Sequence, residues 1–182
     1  MRSSPASTRV RWVVLVLVGL LAAVPGVHAV APGASVLRVS SDSMAPGLAR
    51  GDRVVVLPAG DLQRGDVIVF DDPGDWRATV ERVSGPSDSL FVKRVIGLPG
   101  DHVVCCDLAG RVVVNGAAVD EPYVDPARSH ALLAFDVTVG PDRLWVLGDN
   151  RDASVDSRYL TTTPGHGMVA LDDVRGTVRW SF

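Results

Sequence analysis

The chain has 182 residues, 47% of them hydrophobic, enough for one ordinary domain with a short additional segment. Its formal net charge of -3 leaves no broad cationic face for a phosphate backbone, so nucleic acid is excluded as an expected partner. The only two cysteines, Cys105 and Cys106, are adjacent, which excludes a CxxC metal or redox pair. They leave open a vicinal disulfide or two buried thiols. No metal cluster, internal repeat or low-complexity tract is visible, and no cofactor is expected.

Arg2, Arg9 and Arg11 precede an uncharged stretch over residues 12–37, in which His28 is the only ionisable group. That stretch is longer than a bilayer span requires. The reading is a membrane anchor over residues 12–34, with residues 1–11 in the cytosol by the positive-inside rule and residues 35–182 as an extracytoplasmic domain. The expected location is the cell membrane, in a single pass, with Ser43 near its outer surface. A competing reading stays open: residues 12–24 are a short apolar run, Pro25 and Gly26 follow, and Val27, His28 and Ala29 resemble a small-x-small cleavage site. Under that reading the segment is a cleaved secretory signal, and the domain is exported either way.

Beyond the anchor the apolar residues come in short, valine-rich runs at 53–57, 66–70, 79–83, 90–96, 102–105, 111–114, 143–147 and 176–180. Turn signals such as Pro99-Gly100-Asp101 and Asn115-Gly116 separate them. This pattern predicts strands and hairpins, hence a mostly β, compact antiparallel domain. Residues 43–48 alone look helical. Residues 100–141 read as a small β insertion or cap, with a loop over 123–133.

The basic residues are 17 Arg and a single Lys, Lys93. An ammonium can lose its proton at tolerable cost, whereas a guanidinium essentially cannot. A serine hydroxyl is a poor nucleophile until a base within hydrogen-bond reach takes its proton, and a lysine can be that base only when neutral. Apolar neighbours such as Val92, Val95 and Ile96 would lower the Lys93 pKa by about two units or more from a reference near 10.4.

Residues 39–48, 64–70, 92–101 and 148–158 together, in this order after an anchor, resemble the conserved boxes of type I signal peptidases. The resemblance implies Ser43 as nucleophile, Lys93 as general base, Ser41 and the Ser43 N–H as oxyanion donors, and Ser154 as the serine that orients the lysine. It further implies Asp149, Arg151, Asp156, Arg158 and Arg94 as charged residues that buttress the site. The implied activity is removal of signal peptides from exported preproteins, with small residues selected at the first and third positions before the cut. The implied partners are preprotein signal peptides and the lipid bilayer, for a monomeric enzyme. Val39, Met44, Leu48 and Val92 are the candidates to line the small-residue pocket, and each reads equally well as core.

Departures from the family pattern are Gly47 in place of a usual Thr, Ala153 in place of a usual Asn, and a longer turn over 160–167. None removes a chemical group that the mechanism needs. The remaining histidines, His102, His130 and His166, sit in no recognisable catalytic signature, which speaks against a His triad. Two other readings are a self-cleaving repressor-type serine-lysine enzyme, opposed by the anchor, and an inactive exported β domain that binds a partner.

Overall fold

The computed structural model describes residues 32–74, 76–129 and 133–182. The anchor expected over 12–34 lies almost wholly outside them, as do His28 and His130. Among the described residues no helix is long and apolar enough to cross a membrane.

The chain runs through β1 (Ser35–Arg38), β2 (Arg53–Leu57), β3 (Val67–Asp71), α1 (Trp76–Ser84), β4 (Leu90–Gly97), β5 (His102–Cys105), β6 (Val113–Val114), β7 (Ala117–Ala118), β8 (Phe135–Thr138), β9 (Arg143–Leu147), β10 (Val169–Ala170) and β11 (Val174–Ser181). A seven-stranded sheet has the order β1-β2-β11-β3-β4-β9-β10, and a four-stranded sheet from the 102–138 region has the order β7-β6-β5-β8. Every pairing is antiparallel. Asn115 and Gly116, both with positive φ (52° and 82°), make the tight turn between β6 and β7.

The large sheet is buried on both faces, which is why β3 reads as an unbroken apolar run rather than an alternation. Ile68 and Phe70 pack with Trp76, Phe91 and Val95 on one side, whereas Val69 packs with Val39, Met44, Leu48, Val54 and Val56 on the other. β4 pairs with β3 so that Lys93 sits opposite Ile68 and Phe91 opposite Phe70. Side chains alternate along a strand, so Lys93 stands in the row between Phe91 and Val95, an apolar row.

Two expectations are corrected. Residues 79–83, expected as a strand, are the second half of α1. The carboxylate of Asp72 accepts the backbone N–H groups of Gly74, Trp76 and Arg77 at 3.0, 3.2 and 3.4 Å, satisfying donors that a helix start leaves free. Arg77 and Glu81 pair one turn apart at 2.9 Å, and Trp76 docks edge-on against Phe70 at 5.1 Å. This burial overrides the β preference of Thr79, Val80 and Val83. Residues 43–48, expected as helical, form consecutive turns closed by Ala45 N–H to Asp42 carbonyl (3.1 Å) and Leu48 N–H to Met44 carbonyl (2.9 Å). Pro46 has no N–H to continue a helical ladder.

Cys105 and Cys106 are joined as a vicinal disulfide. Strands β1, β7, β8 and β10 were not among the runs singled out from sequence.

The capping role of Asp72 is testable: Asp72→Ala should destabilise the domain by about 1 kcal/mol. Thermal unfolding should show this as a midpoint lowered by roughly 2–4 °C, and an unchanged midpoint would deny the cap.

Candidate active site

Ser43 sits in the turn that follows β1, and Lys93 is in the middle of β4. Their side chains meet although they are 50 residues apart: Lys93 Nζ is 3.0 Å from Ser43 Oγ and 3.0 Å from the Val92 carbonyl. Both residues are buried, at 7% and 4% exposure. A charged Nζ donates to both oxygens. A neutral amine keeps one N–H on the Val92 carbonyl and turns its lone pair toward the Ser43 hydroxyl, which then donates to it.

Burial among the apolar side chains of β3 and β4 pushes the Lys93 pKa down to about 8. The carboxylates of Asp156 and Asp149 act against this, and the Arg158 guanidinium adds to it.

Ser41 Oγ donates to Ser43 Oγ at 3.2 Å, so its hydroxyl is adjacent to the atom that would attack. Ser154 behaves differently from the expectation that it orients Lys93. Its hydroxyl is buried and has no hydrogen-bond partner among the described residues, and Lys93 Nζ bonds Ser43 and Val92 instead. Ser154 packs instead at Gly148, where the chain runs close against the Ser43 carbonyl. A Cβ there would overlap the Ser154 side chain and come within 2.5 Å of the Ser43 carbonyl oxygen, so Ser154 lies against a bare Cα.

The charged residues clamp this passage. Arg94 holds Asp149 through two bonds, 2.8 and 2.6 Å, and its third arm donates to the Gly65 carbonyl at 2.7 Å. Asp156, fully buried, accepts the Gly148 N–H at 3.0 Å and Arg158 Nε at 2.7 Å. Arg158 also reaches the Arg151 carbonyl at 3.0 Å, while Arg151 Nε donates to the Gly148 carbonyl at 3.0 Å. Asp149 and Asp156 therefore each meet an arginine, the condition under which burial of a charge is tolerated.

Sequence reasoning missed three residues here. Glu121 accepts from Arg151 Nη2, and it also takes the Tyr123 hydroxyl at 2.9 Å. The Tyr123 ring lies 3.9 Å below the Arg94 guanidinium, a cation–π contact. Asn150 bonds both carbonyls flanking the Ser43 nitrogen and carbon. Asn150 lay inside a singled-out segment, but nothing in spacing marked Glu121 or Tyr123.

Ser43 and Lys93 open onto a cleft of about 730 Å³. Val39, Met44 and Val92 line it. Leu48 does not: it is buried in the cluster with Met44 and Val54 and borders a separate hollow beside Arg94 and Asp149. Val80 of α1 and the chain from Ser84 to Leu90 also line it. β9 pairs with β4 only from Arg94 onward, so Leu90 to Lys93 have a partner strand on one side only. His102 and His166 are exposed, bonded to Asp136 and the Thr161 carbonyl, and neither lines the cleft.

The chain matches the model of the family described as signal peptidase, peptidase S26, over residues 9–182. It belongs to that family. A signal peptidase I of Mycobacterium tuberculosis (strain CDC 1551 / Oshkosh) is 33% identical over 183 residues, covering 78% of this chain and 62% of that protein. Signal peptidase I U of Bacillus subtilis (strain 168) is 35% identical over 150 residues, covering 76% of this chain and 70% of that protein. Among solved structures, a signal peptidase I from Enterococcus faecalis V583 is 29% identical, with a TM-score of 0.48, over 66% of this chain and 98% of that one. The chain spans less than two thirds of the length of the mycobacterial relatives, 62% to 65%.

The buried amine makes a stability prediction. With a native pKa near 8 against 10.5 for the free group, the unfolded chain holds this proton more tightly. Wild-type stability should therefore rise with pH between about 8 and 10.5 relative to a variant lacking the group. Whatever stability difference Lys93→Met shows at pH 7, wild type should gain on it by about 3 kcal/mol across that window. Denaturant unfolding of both proteins at several pH values checks this, and a constant difference would mean that Lys93 does not titrate there.

Proposed function

We propose that this chain is a membrane-anchored serine endopeptidase that removes N-terminal signal peptides from exported preproteins. The observation that carries the reading is the contact between Ser43 Oγ and a buried Lys93 Nζ at 3.0 Å. A lone lysine in an otherwise arginine-only chain, desolvated and touching a serine, is what a serine-lysine mechanism requires. Membership of the signal peptidase family supports the substrate class.

In this mechanism neutral Lys93 accepts the Ser43 proton as Oγ attacks the scissile carbonyl. The carbonyl oxygen takes up the negative charge and faces two donors, the Ser43 backbone N–H and the Ser41 hydroxyl, which turns from Ser43 Oγ toward it. Lys93 then gives its proton to the departing amine, and an acyl-enzyme remains on Ser43. A water molecule, deprotonated by Lys93, attacks the ester and frees Ser43. The Asp149, Arg151, Asp156, Arg158 and Arg94 network fixes the Gly148 passage beneath Ser43. Ser154 packs against Gly148 in the free enzyme.

The substrate enters as an extended strand beside the open edge of β4 at Leu90 to Lys93. Val39, Met44 and Val92 leave room for small side chains at the first and third positions before the cut. Residues 12–34 anchor the chain in the cell membrane in a single pass, with residues 1–11 in the cytosol, and the enzyme acts as a monomer. The uncharged stretch behind Arg2, Arg9 and Arg11 supports this topology.

Lys93→Arg tests the mechanism most directly, because it keeps charge and length but removes the ability to accept a proton. Cleavage of a preprotein by detergent-solubilised enzyme should fall to background while the protein stays folded. Ser43→Ala should be as inactive, and substantial cleavage by Lys93→Arg would overturn the dyad. Wild-type kcat/KM should rise with pH through about 8 as the Lys93 ammonium deprotonates. Ser41→Ala should lower kcat by about tenfold to a thousandfold, and an unchanged rate would put the second oxyanion donor elsewhere.

A further inference from the structure

The segment beneath Ser43 does more than support it. Asn150 is 5% exposed and holds the nucleophile's backbone at two points. Its backbone N–H donates to the Ser43 carbonyl at 3.1 Å, and its side-chain Nδ2 donates to the Asp42 carbonyl at 3.1 Å. A carbonyl oxygen can only accept, so the atom facing Asp42 must be the amide nitrogen.

The Asp42 carbonyl and the Ser43 N–H belong to one peptide unit, which is trans, since the cis bonds lie elsewhere. In a planar trans peptide the C=O and N–H point in opposite directions, so whatever fixes the oxygen fixes the direction of the N–H. A donor on the oxygen also polarises the N–H opposite. The same Asp42 carbonyl also accepts the Ala45 N–H at 3.1 Å, a tie within the turn, and the Asp42 carboxylate accepts the Arg50 N–H at 3.0 Å. Asn150 is the tie that comes from a distant part of the chain, and Gly148 brings it there by allowing contact with Ser43.

We infer that Asn150 is a positioning residue for the oxyanion hole, holding the Asp42–Ser43 peptide plane so that the Ser43 N–H points at the oxygen of the tetrahedral intermediate. The inference rests on the serine-peptidase reading above. Asn150 touches no reacting atom, and its side chain acts through that plane. It therefore acts where charge has developed on the carbonyl oxygen, and not on binding of the uncharged peptide.

The test compares a peptide aldehyde with the matching peptide alcohol as inhibitors. With the aldehyde, Ser43 Oγ bonds to the carbonyl carbon, the hydroxyl proton passes to Lys93 and the carbonyl oxygen becomes the oxyanion. The alcohol fills the same cleft and forms no such adduct. Asn150→Ala should lower kcat and aldehyde affinity in parallel, by about tenfold to a hundredfold. KM, alcohol affinity and the pH midpoint of kcat/KM should stay at wild-type values. Asn150→Leu, close in shape and retaining the backbone bonds, should behave alike and decides the matter if the alanine variant does not fold. Aldehyde affinity within twofold of wild type in a folded variant would overturn the inference, even if thermal stability fell. Equal losses for aldehyde and alcohol would also overturn it, because the cleft rather than the hole would have moved. A wild type that neither cleaves a preprotein nor binds the aldehyde would overturn the peptidase reading itself and the inference with it.

Discussion

The desolvation of one amine is the constraint on which the rest of the structure depends. Lys93 stands in an apolar row of β4, between Phe91 and Val95 and opposite Ile68. An ammonium in such a place loses hydration that its neighbours cannot replace, and its proton is held less tightly. Keeping the group buried requires core on both sides of the strand, which the seven-stranded sheet provides by packing one cluster on each face. The amine must also stay near one hydroxyl, which fixes where the Ser43 turn can lie.

That turn has little regular structure of its own, and its position is set from outside. The segment after β9 runs beneath it, and the backbone of Gly148 is held on both sides, its N–H by Asp156 and its carbonyl by Arg151. The same ion pairs tie in the smaller sheet's region through Glu121 and Tyr123. Asp149 and Asp156 pull the Lys93 pKa up, yet each is also matched by an arginine, Arg94 and Arg158. The local field at the amine is thus a balance between desolvation and paired charges a short distance away, with desolvation the larger.

Much of this was legible from sequence where local chemistry decides. The runs at 53–57, 102–105 and 143–147 match β2, β5 and β9 residue for residue, because valine-rich segments bounded by turn residues have few alternatives. Residues 79–83 were misread since their β-branched side chains favour a strand locally, whereas the Asp72 cap and the burial of Trp76 are contacts outside that window. Lys93 was conspicuous as the sole lysine, and Ser43 through its place in a family motif. Asn150 was passed over because its side-chain partner lies 108 residues away, a pairing no spacing reveals. The Ser154 hydroxyl has no partner among the described residues although its motif suggests one, and its packing against Gly148 is a contact that spacing does not carry.

From Leu90 to Lys93, β4 has a partner strand on one side only. A strand edge left open usually invites other strands and is a hazard for a secreted domain. Here the open residues, Leu90 to Lys93, line one cleft together with the chain at 37–43, Val80 and residues 84–89. A cleft of that kind admits a single unaccompanied chain, while a strand already built into another sheet would bring neighbours that strike the walls. The enclosure thus acts as a filter on conformation before any side chain is read. For the peptidase activity proposed above, a cleft of this kind suits a tail still extended better than polypeptide that has already folded.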